Sequence, residues 1–214
     1  MERYFRWIGV DESGKGDYFG YLVIAGVVID KKREEELKKL NVRDSKKISD
    51  ERIKKISKTI KSLLPFDVVR ISPSRYNELY NKLKNINKIL AWGHARVVEN
   101  LLEKHNVDLI IFDKFSSRDY IEKSIMKKGK NVDRVEIIKG ERDIGVAAAS
   151  IIARDEFLST LKKLEKEWNF HFPKGAGSIV DRYGVEFVKK FGFESLRKVA
   201  KYHFKNTEKI KKLI

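Results

Sequence analysis

Carboxylates stand wherever three apolar stretches of this chain end. Asp11-Glu12 closes the run WIGV, Asp113 closes VDLIIFD, and Glu141 with Asp143 follows VEIIKG. Acids gathered at one point repel one another and lose hydration. Around a hard cation the same set becomes favourable, and donors that are all oxygen suit Mg²⁺ or Mn²⁺. The pattern therefore predicts a two-metal phosphoryl-transfer site, with cations roughly 4 Å apart stabilising the attacking and leaving oxygens. Taken singly, Asp113 reads equally well as a cap for the segment after it, and Glu141 and Asp143 as ordinary loop charges. Asp11-Glu12 is harder to set aside. Adjacent strand residues point to opposite faces, so both reach one metal only if the chain bends at Glu12, a bend that Gly14 and Gly16 permit.

Other chemistries fail on spacing. The GKG of residues 14–16 lacks the frame of a phosphate-binding P-loop. His94, His105, His171 and His203 show no metal-ligand spacing, and His94, in AWGHARVVEN, reads as a packed helix residue. No serine elbow or Cys/His pair suggests acyl chemistry.

The elements that must hold the acids follow from periodicity. Strands over about 4–11 and 19–29, joined by a glycine-rich turn, predict an antiparallel hairpin. A helix should start at Ser49, with Asp50 and Glu51 in its first turn and a stripe of Ile48, Ile53, Ile56, Ile60 and Leu64. FDVVRI (66–71) reads as a third strand, and Ser72-Pro73 opens another helix. A longer helix covers 86–104. The near-continuous apolar run 107–113 reads as a strand buried on both faces, hence parallel. Residues 135–140 make a fifth strand, and a helix from about 145 to 168 opens on Ala147-Ala148-Ala149. The order predicts an α/β fold, a mixed sheet with helices on both faces. If the first, fourth and fifth strands are parallel neighbours, the acids converge at their carboxyl ends, where open α/β sheets place their sites.

Length and composition bound the partners. The 214 residues predict a single domain, 1–214, closing in a basic helical segment over 178–214. A net charge of +16 favours polyanions, nucleic acid above all. The absence of Gln beside abundant Lys and Glu is thermophile-like usage, but 47 bases against 31 acids exceed that effect. No apolar run reaches membrane-spanning length, MERYFRW lacks the apolar core of a signal peptide, and there is no Cys. A cytoplasmic protein with no membrane partner is expected.

DESGKGDYFG at 11–20, RDSKKIS at 43–49, NKILAWGHARVVENLL at 87–102, VAAASIIAR at 146–154, PKGAG at 173–177 and KYHFKNT at 201–207 resemble the type 2 ribonucleases H. The likeness is greater to the ribonuclease HIII branch than to HII. It runs from about residue 5 to the end of the chain. It implies a ribonuclease H-like fold, a five-stranded mixed sheet flanked by helices, and a monomeric endoribonuclease that cuts the RNA strand of an RNA/DNA hybrid with Mg²⁺ or Mn²⁺. Products would carry 5′-phosphate and 3′-hydroxyl ends. The implied metal-binding and catalytic acids are Asp11, Glu12, Asp113 and Glu141, with Asp143 the runner-up for the fourth place because the interval to VAAAS is one residue short. The implied substrate contacts are Ser13, Gly14, Lys15 and Gly16 at the ribose 2′-hydroxyl and Lys46 near a phosphate. Ribonucleases HIII commonly carry an N-terminal substrate-binding domain, which a chain starting ten residues before Asp11 is expected to lack. The basic residues Arg197, Lys198, Lys201, Lys205, Lys209, Lys211 and Lys212 would then share the grip on the hybrid. An HII-like enzyme that also cuts beside single ribonucleotides in DNA, and a non-catalytic nucleic-acid-binding module, remain alternatives.

Overall fold

A computed structural model describes residues 5–39, 42, 49–116 and 119–214. In chain order, β1 (Arg6–Ser13) and β2 (Leu22–Asp30) are followed by α1 (Lys31–Lys39), α2 (Asp50–Leu63) and β3 (Phe66–Ile71). Next come α3 (Pro73–Leu83), α4 (Ile86–Leu102), β4 (Leu109–Asp113), α5 (Tyr120–Ser124) and β5 (Asp133–Ile137). The chain closes with α6 (Ile144–Trp168), α7 (Ser178–Phe191), α8 (Leu196–Val199) and α9 (Lys205–Leu213).

The strands form one five-stranded mixed sheet in the order β3-β2-β1-β4-β5. β4 is parallel to β1 and to β5, as the apolar run 107–113 requires of a strand covered on both faces. Its residues Leu109 to Phe112 are buried throughout. Helix starts follow their caps. Ser49 accepts a hydrogen bond from the Arg52 amide at 3.4 Å and opens α2, while Ser72 accepts from the Arg75 amide at 3.3 Å and opens α3 with Pro73 in its first turn. In α2 the stripe Ile53, Ile56 and Ile60 is buried; Ile48 lies outside the described residues.

Two compact units are present. The first comprises the chain up to Glu12, Ile24–Val69 and Ile86–Asp155. It contains nearly all of the sheet, and its core is built from Ile8, Val10, Ile24, Val27, Ile110 and Phe112, with Leu90 and Val97 of α4 and the alanines of α6. The second comprises Ser13–Val23, Arg70–Asn85 and Glu156–Ile214. Its interior is an aromatic cluster, with Phe19 against Phe172 at 5.0 Å between centroids and Phe172 against Phe187 at 5.5 Å.

Two helices had no sequence expectation. α1, KKREEELKK, buries only Leu37 and draws its order from side chains three and four apart, such as Lys38 with Glu34 and Glu35. α5 is a five-residue turn with Ile121 as its buried anchor.

Candidate active site

β1 sets the acids. Gly9 stands against the first turn of α6 so closely that a Cβ there would lie 2.1 Å from the carbonyl carbon of Gly145. Two residues on and on the same face, Asp11 receives a hydrogen bond from Ser150 of α6. The alternate residue, Glu12, meets α4: its Oε2 lies 3.0 Å from Nε2 of His94. β1 continues through Ser13, and the turn begins at Gly14. Alternation along a strand has thus sent neighbouring carboxylates to different helices.

The register supplies the third acid. Val10 pairs with Phe112, and Asp11 and Asp113 each follow this last pair by one residue. Burial first, then the charges of Glu12 and Asp113, hold the Asp11 carboxyl well above the usual carboxylate range, against the opposing hydrogen bonds from Ser150 and the Glu12 amide. Asp113 is fixed by the Gly140 amide, which donates to its Oδ1 at 2.8 Å. Gly140 has no room for a side chain, since a Cβ would lie 2.8 Å from Asp113. The KG pair before Glu141 is thereby keyed to Asp113.

The two candidates for the fourth acid stand in different surroundings. Asp143 is buried, and its Oδ1 accepts from the Val146 amide at 2.9 Å and from the Trp7 indole at 3.3 Å. It caps α6, and burial raises its carboxyl above the ordinary value. Glu141 lies exposed in the short 3₁₀ turn Gly140–Arg142.

Among the described residues, no group of three or more Asp, Glu or His side chains is arranged to hold a metal ion. The positions above supply the reason: Glu12 is turned to His94, Asp113 is latched to Gly140, Asp143 is occupied by a helix terminus and Glu141 stands in a solvent-facing turn. The donor chemistry nevertheless fits a hard cation. Asp11, Glu12 and Asp113 are all oxygen donors whose mutual repulsion a divalent ion would offset.

His94 is the residue that sequence reasoning undervalued. It is a packed helix residue as expected, fully buried and facing the rings of Phe112 and Phe115, yet it also touches an acid. Helical periodicity could place it inward but could not name its partner.

The glycine turn belongs to the second unit and is held there by motifs that the acids left unexplained. Gly14 has φ +87°, and a Cβ on it would lie 2.2 Å from the Tyr21 carbonyl oxygen, so only glycine fits. Gly16 carries no such demand; the space around it is open. Asp17 accepts from the Gly175 amide of PKGAG at 2.6 Å, and the Tyr18 amide donates back to the Gly175 carbonyl at 2.8 Å. From KYHFKNT, Lys201 donates to the carbonyls of Asp17 at 2.7 Å and Gly20 at 2.8 Å, and Thr207 shares a hydrogen bond with the Tyr18 hydroxyl. Lys201 is fully buried, which removes it from the set of phosphate-gripping bases. Arg197, Lys198, Lys205, Lys209, Lys211 and Lys212 are exposed, Arg197 beside Glu194 and Lys209 beside Asp181. Lys46 lies outside the described residues.

Known proteins resemble this chain in sequence and fold. The profile of the ribonuclease HII family matches residues 8–207. A ribonuclease HIII of Protochlamydia amoebophila is 41% identical over 203 residues, covering 95% of this chain and 67% of the relative. A ribonuclease HIII of Chlamydia pneumoniae is 43% identical over 208 residues, covering 95% of this chain and 69% of the relative. The crystal structure of Bst-RNase HIII in complex with Mn²⁺ superposes with a TM-score of 0.91 at 33% identity, over 98% of this chain and 70% of that one.

Proposed function

We propose a function from one premise: this chain belongs to the ribonuclease HII family, among relatives named ribonuclease HIII, and is a ribonuclease H. In this reading it is an endoribonuclease that hydrolyses the RNA strand of RNA/DNA hybrids and leaves 5′-phosphate and 3′-hydroxyl ends. The observation that carries the reading is that the charges of Glu12 and Asp113 both act on the buried Asp11 carboxyl, close to where β1 and β4 cease to pair. A set of mutually repelling carboxylates weakens a protein that merely binds a polyanion, and is useful to one that recruits cations to a phosphodiester.

Asp11, Glu12, Asp113 and Glu141 would hold Mg²⁺ or Mn²⁺, with Glu141 preferred over Asp143 because the latter already caps α6. Bound there, the ions would supply an activated water for in-line attack and charge stabilisation at the leaving oxygen. Ser150 and the Glu12 amide orient Asp11, and Gly140 orients Asp113. Ser13, Gly14, Lys15 and Gly16 would meet the ribose 2′-hydroxyl, the group that separates RNA from DNA. The open space at Gly16 leaves room for a sugar to approach backbone. Lys46 would meet a phosphate, and the exposed bases of 197–212 would add to the grip. The protein would act as a cytoplasmic monomer.

A second reading, cleavage beside a single ribonucleotide embedded in DNA, is kept because the matching profile is that of ribonuclease HII. Incubating the protein with a hybrid and with a single-ribonucleotide duplex, each with Mg²⁺ and with Mn²⁺, tests both. Cleavage of the hybrid alone is expected. Cutting of both substrates supports the second reading, and cutting of neither sinks the assignment.

A further inference from the structure

His94 presents a small chemical puzzle. Its ring is fully buried in α4 between the first unit's Phe112 and Phe115, whose centroids lie 5.9 Å and 5.1 Å away. Its Nε2 reaches Oε2 of Glu12 at 3.0 Å, while its Nδ1, equally buried, has no hydrogen-bond partner among the described residues. An ionised carboxylate can only accept, so Nε2 is the donor in this contact. A histidine kept only to fill space would be better replaced by leucine, which leaves no polar atom unsatisfied at a cost of about 1–3 kcal/mol. The ring is retained at a position where its single satisfied contact is with a carboxylate.

We propose that His94 is a positioning residue: its Nε2–H holds Glu12 in the orientation from which that acid takes part in cation binding. This rests on the reading of Glu12 as one of the catalytic acids. The two aromatic rings stop the imidazole from swinging away, and burial strengthens its hydrogen bond. Phe112 is also the residue before Asp113, so the packing that fixes His94 is continuous with the strand that presents the neighbouring acid. Groups that hydrogen-bond a metal-binding side chain commonly matter about 10–100-fold in affinity or activity.

The test uses the whole chain and three variants: His94→Leu, His94→Gln and, as a reference, Asp11→Asn. Mn²⁺ binding is measured by calorimetry without nucleic acid, cleavage of a hybrid is measured against metal concentration, and thermal midpoints are recorded for each. His94→Leu should weaken Mn²⁺ binding about tenfold and raise the metal needed for half-maximal cleavage in step, with KM for the hybrid unchanged. His94→Gln, whose amide nitrogen can still donate, should recover most of the loss. Wild-type Mn²⁺ binding in His94→Leu beside a defective Asp11→Asn overturns the assignment of His94 alone. Equal losses in both His94 variants, tracking a fall in thermal midpoint, also overturn it, because packing then explains everything. If Asp11→Asn binds Mn²⁺ as the wild type does, the reading of the acids itself fails.

Discussion

Asp11 in the first unit and Lys201 in the second are both ionisable groups withdrawn from water, and they are kept in opposite ways. Lys201 is surrounded by acceptors: its ammonium donates to two backbone carbonyls and lies 5.9 Å from the centre of the Tyr76 ring. Burial draws its amine down to about 7, against the opposing charge of Asp17, which favours the protonated form. Asp11 is surrounded by its own kind, with Glu12 and Asp113 raising its carboxyl further after burial has done so. A charge buried for architecture is satisfied within the chain. Asp11, read as a metal-binding acid, is left wanting something the chain does not provide.

The largest test of that contrast is Asp11→Asn. Cleavage of an RNA/DNA hybrid should fall by at least about a thousandfold, as when one member of a cooperating catalytic group is removed, with hybrid binding largely retained. In metal-free buffer the same variant should melt higher than the wild type, because a repulsion has gone, and calorimetric scans read this directly. A lower melting point would place Asp11 in the class of Lys201.

Much of this was legible from residue types. β3 appears with the predicted bounds because Pro65 and the Ser72-Pro73 pair punctuate it on both sides. The acids at strand ends were visible because apolar runs make a carboxylate conspicuous, and parallel pairing of β1, β4 and β5 joins those ends as expected. α1 was invisible because its nine residues carry one buried apolar side chain and therefore no stripe. Lys201 was misread as a solvated base because a lysine looks the same in sequence whether its neighbours are water or carbonyl oxygens. That Asp143 caps α6 is not legible from residue type, because capping is a matter of backbone geometry.

Lys201→Met should have the next largest effect, and on stability rather than chemistry. The apolar stem is kept but two buried carbonyls lose their donor, a cost of about 3 kcal/mol, measured by denaturant unfolding. Mn²⁺ affinity should not change; a matching loss of metal binding would break the distinction between the two groups.

The smallest effect sharpens the picture around Lys201. Burial, then the lysine's charge, lowers the His203 imidazole to about 4. Its hydroxyl contact is Tyr76 at 3.3 Å, and its ring stacks on Tyr80. Between its ordinary value of about 6.5 and the folded value, the unfolded chain holds a proton that the folded chain refuses. The contribution of His203 to stability should therefore be constant above that window and fall as the pH drops through it. In Lys201→Met the fall should be shallower, since one cause of the depression is gone; pH-dependent melting curves of the two proteins make the comparison.

The contact of Gly9 with Gly145 has a consequence for precision. Where strand and helix meet through side chains, their spacing inherits the looseness of rotatable bonds. Here β1 meets α6 through bare main chain, so the offset from Asp11 to Ser150 is referenced to peptide groups pressed together, as a machined face is referenced to its bed. The tolerance at the acid is thereby that of covalent geometry. A single methyl group at Gly9 would act as a shim, moving the acid without altering any residue that touches it.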